Sequence, residues 1–161
     1  MKNVMKRMAL IVALLMMGFA KGYAVEPSQA GKAIAEIVKK YDGTNGVECV
    51  TVVRGRGLEM VKMMFNKQLG KDFMKGVTSI TIIEYGDAPE ETCLALRKEL
   101  DAFTALLEEF KFGKEEQADN DYTRCFASVS SEEGTLSDFV FALEDEETKM
   151  LMYMAGKIKV E

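Results

Sequence analysis

The strongest constraint on the fold is a change of hydrophobic period along the chain. In the first two thirds, segments with apolar residues at helical spacing alternate with short apolar runs. From Tyr122 onward, apolar residues recur at every second position. A period of about 3.6 residues is typical of an amphipathic helix, and a period of two is typical of a strand. The order of these periods predicts an α+β fold with helices packed on a sheet.

Three segments have helical spacing. The first covers residues 28–41, with Ser28 as its expected N-cap, and the second covers residues 57–67. Asp87 and Glu90 have the spacing of a capping box before the third segment. Its apolar stripe runs through Cys93, Leu96, Leu100, Phe103, Leu107 and Phe110.

Five segments have the composition of strands. They cover residues 47–54, 77–85, 122–129, 136–143 and 149–155, and the last three are separated by short polar turns. We therefore expect a mixed five-stranded sheet, the element order α-β-α-β-α-β-β-β and an antiparallel meander at the C-terminal end.

The N-terminal residues have the pattern of a signal peptide. Lys2, Lys6 and Arg7 precede an uncharged apolar run over residues 8–20, and small residues follow at Gly22 and Ala24. The apolar run is shorter than the roughly 20 residues that a membrane-spanning helix needs. The pattern predicts a signal peptide over residues 1–24 and one exported domain over residues 25–161, periplasmic or secreted, with no membrane span after cleavage.

Charge and composition exclude several function classes. Residues 25–161 contain 17 basic and 26 acidic residues, a net charge of −9 that disfavours binding to nucleic acid. The chain contains no histidine, so a Ser-His-Asp or Cys-His arrangement and an imidazole metal site are impossible. We expect no cofactor, no metal and no enzymatic activity. An enzyme that uses carboxylates alone is the one catalytic alternative that stays open.

The sulfur-containing residues allow several interpretations. Cys49, Cys93 and Cys125 form no Cys-x-x-Cys pair; they can provide one disulfide and a spare thiol, or three free thiols. Three alternating methionines, at positions 150, 152 and 154, are typical of a core-facing strand. A Cu(I) site and an adaptable partner-binding face are the alternatives.

One turn is a candidate ligand site. Arg54, Gly55, Arg56 and Gly57 lie between a predicted strand and a predicted helix, where backbone amides can bind an anion. The third glycine of a dinucleotide fingerprint and the Lys-Ser/Thr pair of a P-loop are absent. A tight turn with solvated arginines is the structural alternative. The acidic groups, by contrast, have the composition of solvated turns and lack the spacing of a calcium loop.

The chain resembles a family of small exported proteins of unknown function from Gram-negative gut bacteria. The resemblance covers most of residues 30–160 and includes Tyr41-Asp42, the valine-rich run at 50–53, the methionine-rich segment at 60–65 and the terminal segment at 151–159. It supplies no catalytic residues. It implies an α+β domain after a signal peptide and an association with cell-envelope signalling.

The sequence therefore favours an exported, non-enzymatic binding or adaptor protein of the bacterial cell envelope, with a protein partner there. The alternative function is a carrier of a small ligand or anion that uses residues 54–57.

Overall fold

A computed structural model describes residues 28–69, 72–110, 123–129 and 134–159. The predicted signal peptide over residues 1–24 lies outside these ranges, as do the polar segment at 112–121 and residues 130–133 of a predicted hairpin turn.

The described residues form three helices and six strands, which confirms the α+β class. The helices are α1 (Gln29–Tyr41), α2 (Arg56–Leu69) and α3 (Glu90–Thr104). The strands are β1 (Glu48–Val53), β2 (Gly76–Glu84), β3 (Glu108–Phe110), β4 (Thr123–Val129), β5 (Thr135–Glu144) and β6 (Lys149–Lys159).

The six strands form one sheet in the order β1-β2-β6-β5-β4-β3, and every pair is antiparallel. The prediction of a mixed five-stranded sheet is therefore wrong. Val53 at the end of β1 lies opposite Ser79 near the start of β2, so α2 returns the chain to the end of the sheet that it left. A helical connection gives parallel strands only when it carries the chain to the opposite end.

Strand β3 is the additional strand that the sequence did not predict, because its residues were assigned to the end of the third helix. Helix α3 ends at Thr104, and Leu107 lies in the turn that follows it. Phe110 then pairs with Cys125 of β4, and its ring packs edge-on against Phe139 at a centroid distance of 5.3 Å. Pairing with β4 and burial of this ring override the helical spacing, because local propensity is weak compared with tertiary packing.

Of the two predictions about helix N-caps, the one for α1 is confirmed and the one for α3 is wrong. Ser28 caps α1, and its Oγ accepts a hydrogen bond from the Gly31 amide at 3.0 Å. The capping box before α3 does not form: Pro89 occupies the N-cap position, with no side-chain capping bond. Glu90 and Glu91 in the first turn still complement the positive end of the helix dipole.

Helices cover both faces of the sheet, and two apolar cores result. On the α2 face, residues of α2 and the 73–77 segment pack on β2, β5 and β6. On the α1–α3 face, residues of α1 and α3 pack on the opposite side of the same strands. Met150, Met152 and Met154 are fully buried on the α2 face, which confirms the core-packing interpretation of these methionines.

The three cysteines are free thiols. Cys125 is buried on the α2 face, Cys93 is buried on the α1–α3 face, and Cys49 packs at the edge of the second core. Among the described residues, no helix is long and apolar enough to cross a membrane.

Candidate ligand site beneath helix α1

Three neighbouring strands change register in the same row of the sheet. In β2, Val77 faces Gly156 and Ser79 faces Ala155, so Thr78 is an extra residue. Between β5 and β6, Ser137 faces Lys157 and Phe139 faces Met154, so two residues of β6 oppose one of β5. β-Bulges of this kind bend a strand and redirect side chains, and they are common beside functional sites.

Gly156 makes the bulge in β6 possible. Its φ of +108° is a conformation that side-chain-bearing residues rarely adopt. A Cβ atom at this position would also lie 2.2 Å from the carbonyl oxygen of Gly76 in β2. The close approach of β2 and β6 at this row therefore requires glycine.

In β5, Asp138 and Phe139 lie opposite the single residue Ala127 between the Ser128–Ser137 and Phe126–Val140 pairs of β4 and β5, so β5 is bulged at Asp138. Asp138 has a φ of +51°, in the left-handed region where aspartate is among the more frequent non-glycine residues. Its side chain is nevertheless buried, with 7% of the residue exposed. A buried carboxylate on a strained backbone is a feature that points to a functional site.

The Asp138 carboxylate links helix α1 to the sheet. Its Oδ1 accepts hydrogen bonds from the Ser28 hydroxyl and from the Tyr153 phenol, each at 2.6 Å. Its Oδ2 lies 3.5 Å from the hydroxyl of Ser128. Because Ser28 is also the N-cap, the carboxylate stands at the positive end of the α1 dipole. This network fixes where α1 begins over the sheet.

Tyr153 is held in its neutral form. Burial raises the pKa of its phenol, and the hydrogen bond to Asp138 raises it further. The phenol therefore keeps its proton at neutral pH and serves as a hydrogen-bond donor to the carboxylate.

Hydroxyl groups continue across the sheet from this network. Thr51, Thr81 and Tyr153 are direct neighbours on β1, β2 and β6. The two threonine Oγ1 atoms lie 3.2 Å apart, and Thr81 is buried. The sheet surface under α1 thus presents a row of hydroxyls in place of the apolar side chains found elsewhere in the core.

A cavity of about 520 Å³ lies between α1 and this part of the sheet, a volume in the range of small-molecule sites. Ile34, Ala35 and Val38 of α1 supply an apolar wall, and the hydroxyl row and Asp138 supply a polar floor. Arg54 and Lys157, both exposed, also line the cavity.

The charges that line the cavity favour an anionic ligand. Two basic side chains and one carboxylate line it, and the carboxylate already accepts hydrogen bonds from Ser28 and Tyr153. In a protein whose total charge is negative, the Arg54 guanidinium on this lining is the feature that would attract an anion.

The structure separates the residues of the predicted 54–57 site. Arg54 lines the α1 cavity, and its φ of +47° also lies in the left-handed region. Arg56 begins α2 and lines a different groove, formed with the turn at residues 72–75. Gly55 has open space around it and a φ of +91°, whereas Gly57 is buried in the first turn of α2. Only one of the two arginines therefore reaches the cavity.

Sequence reasoning missed Asp138, Tyr153 and Lys157. The available signal was Asp138 itself, a single acidic residue within the apolar strand pattern of residues 136–143. An acidic residue inside a strand indicates a bulge or a buried network, because an unpaired buried charge is costly. Tyr153 gave no signal, since an aromatic residue is ordinary in a strand.

Within the described ranges, no group of three or more acidic or cysteine side chains is placed to hold a metal ion. Comparison of the chain with protein-family models, curated proteins and solved structures finds no match.

Proposed function

We propose that this protein is an exported, non-enzymatic binding protein of the bacterial cell envelope, and that the α1 cavity holds a small organic anion. The observation that supports this function best is the cavity of about 520 Å³ over aligned bulges, with Arg54 and Lys157 in its lining. Its apolar wall would pack against the body of the ligand, and Arg54 would pair with the anionic group.

The state of the polar groups favours binding over catalysis. Asp138 accepts short hydrogen bonds from two hydroxyls, and the raised pKa of Tyr153 keeps its phenol protonated. A general acid or base works best when its pKa lies near the operating pH, and Tyr153 has been moved away from it. In this proposal, these groups would orient a ligand.

In the same proposal, the protein acts through a protein partner in the envelope and is linked to envelope signalling, as the family resemblance implies. The cavity would provide the ligand-sensing part of such an adaptor. Helix α1 connects the two roles, because the Ser28–Asp138 hydrogen bond fixes its start beside the cavity.

The two arginines provide a matched test of the site. Residues 25–161 would be screened by thermal shift against small organic anions, such as dicarboxylates and phosphate monoesters. We expect Arg54→Ala to abolish the shift given by a binding anion and Arg56→Ala to retain it, because only Arg54 lines the cavity. The opposite result would place the anion on the α2 side of the turn and overturn the proposed site.

A second pair of variants tests the cavity without removing a charge. Ala35 is exposed on α1 and lines the cavity, so Ala35→Trp should obstruct it at little cost in stability. Ala102 is exposed on α3, away from the cavity, and Ala102→Trp is the control. Equal ligand-induced shifts in the two variants would show that the ligand binds elsewhere.

A further inference from the structure

The basic residues of this acidic protein are concentrated in one short stretch. Residues 54–75 contain two acidic residues, Glu59 and Asp72, and six basic residues. The remainder of residues 25–161 contains 11 basic and 24 acidic residues. The six basic residues are Arg54, Arg56, Lys62, Lys67, Lys71 and Lys75. A local positive field on an acidic protein favours an acidic partner.

Two methionines lie exposed among these charges. One side of α2 is buried through Leu58, Val61 and Phe65. On its outer side, Met60 is 42% exposed and Met63 is 57% exposed. Methionine at a surface adapts its shape to a bound partner, because its unbranched side chain is flexible and polarizable.

The methionines and four of the basic residues line one groove between α2 and the turn at residues 72–75. Two hydrogen bonds link the walls of the groove. The Met74 amide donates to Asn66 Oδ1 at 3.1 Å, and Lys62 Nζ donates to the Lys75 carbonyl at 3.5 Å. A surface fixed in advance in this way loses little conformational freedom when a partner binds.

We propose that this groove, lined by α2 and residues 72–75, binds an acidic peptide segment of a partner protein. An apolar side chain of the segment would lie between Met60 and Met63, and its carboxylates would face Arg56, Lys67 and Lys75. This inference goes beyond the anion cavity and does not depend on it, since Arg56 and the methionines lie outside the cavity lining.

The charge pattern of the groove favours a peptide over a membrane surface. Glu59 and Asp72 lie among the cations, and Glu59 pairs with Lys62 at 3.3 Å, so the positive charge is divided into separate positions that can select the spacing of carboxylates on a peptide.

Site-specific photo-crosslinking in the native host tests this proposal on the full chain. A photoreactive amino acid would replace Met63 or, as the control, Leu94 on α3, which has the same exposed fraction of 57%. We expect a discrete protein adduct at position 63 and none at position 94. Mass spectrometry of the position-63 adduct should show an acidic peptide at the cross-linked site.

Charge reversal identifies the interaction as electrostatic. Arg56→Glu with Lys67→Glu should reduce the adduct at position 63 at least tenfold. Lys32→Glu with Lys98→Glu, an equal charge change at exposed positions on α1 and α3, should leave it unchanged. Thermal melting of the purified variants separates this effect from unfolding.

The proposal would be overturned by equal adducts at positions 63 and 94, by the absence of an adduct at 63, or by an adduct that survives Arg56→Glu with Lys67→Glu. A cross-linked lipid would assign the surface to the membrane, and a neutral or basic cross-linked peptide would exclude the acidic segment.

Discussion

The two faces of the sheet use the same strands for different purposes. Along β6, Met150, Met152 and Met154 point into the α2 face, while Leu151 and Tyr153 point into the α1–α3 face. The α2 face is filled by close-packed apolar side chains. Phe139 is among them, with its ring 6.0 Å from Phe73 and 5.3 Å from Phe110. The other face contains the hydroxyl row, Asp138 and the cavity at its α1 end.

This difference indicates that, within one strand, some residues contribute to stability and their neighbours contribute to binding. Successive residues of a strand face opposite sides of a sheet, so Met152 serves packing and its neighbour Tyr153 serves the site. Substitutions on the α2 face should change the free energy of unfolding without changing ligand binding. Substitutions of site residues on the α1–α3 face should weaken ligand binding while lowering the free energy of unfolding only modestly.

The largest effect is expected where the two faces depend on the same backbone. Gly156→Ala should lower the free energy of unfolding by about 3–5 kcal/mol, from the unfavourable φ and the clash with Gly76. Gly43→Ala is the control, because Gly43 has a φ of +79° but open space around it. The control should cost about 1–2 kcal/mol. Urea unfolding measures both values, and equal losses would contradict the close approach of β2 and β6.

Met152→Ala tests the α2 face. Truncation of this fully buried side chain should lower the free energy of unfolding by about 3 kcal/mol, because it leaves a cavity in the core. The thermal shift given by a bound anion should stay as large as in the parent protein. A loss of that shift in a variant that is still folded would show that the two faces are not independent.

High pH should lower the free energy of unfolding through groups on both faces of the sheet, and deprotonation of the buried thiols should begin this loss. Burial raises the pKa of Cys125 on the α2 face to about 12 and that of Cys49 to about 11, both from 9.0. The folded state therefore binds more protons than the unfolded state above pH 9, so stability falls as pH rises. We expect a loss of about 2 kcal/mol by pH 10.5 from Cys125 alone, and a smaller additional loss from the half-exposed Cys49.

Urea unfolding under reducing conditions at pH 8 to 11 measures this loss. Tyr153 should add a further loss above pH 10, because its pKa is also raised. The Tyr153→Phe variant should lack that last component and keep the earlier one. A stability that stays constant from pH 8 to 11 would contradict the burial of the thiols.

Tyr153→Phe at neutral pH should change the stability less than Gly156→Ala or Met152→Ala, and it is the sharpest test of the comparison. Loss of the phenol removes one donor to Asp138 and should lower the free energy of unfolding by about 1.5 kcal/mol, half the cost expected for Met152→Ala. Anion binding should nevertheless weaken, because the carboxylate and α1 lose part of their alignment. Unchanged affinity in this variant would separate the Asp138 network from the ligand site.

The sequence predicted those parts of the fold that depend on local pattern. The α+β class, the Ser28 cap and the burial of the three alternating methionines follow from periodicity and side-chain chemistry alone. Strand β3 was missed because Leu107 and Phe110 continue the spacing of the α3 stripe, and only pairing with β4 distinguishes them.

The site was harder to predict because it depends on register. A bulge shifts the pairing of strands without changing their composition, so nothing in the sequence aligned Thr78, Asp138 and Gly156 in one row. Arg54 and Arg56 look equivalent in the sequence, yet the start of α2 directs them to different surfaces. Tertiary geometry decides which of the two residues belongs to the site.

Native mass spectrometry of the protein recovered from its host tests the central claim that the α1 cavity holds a ligand. The parent protein and the Ala102→Trp variant should each carry one small organic molecule in addition to the polypeptide mass. The Ala35→Trp variant should show the polypeptide mass alone. A bound molecule that persists in Ala35→Trp, or its absence from all three proteins, would contradict the account.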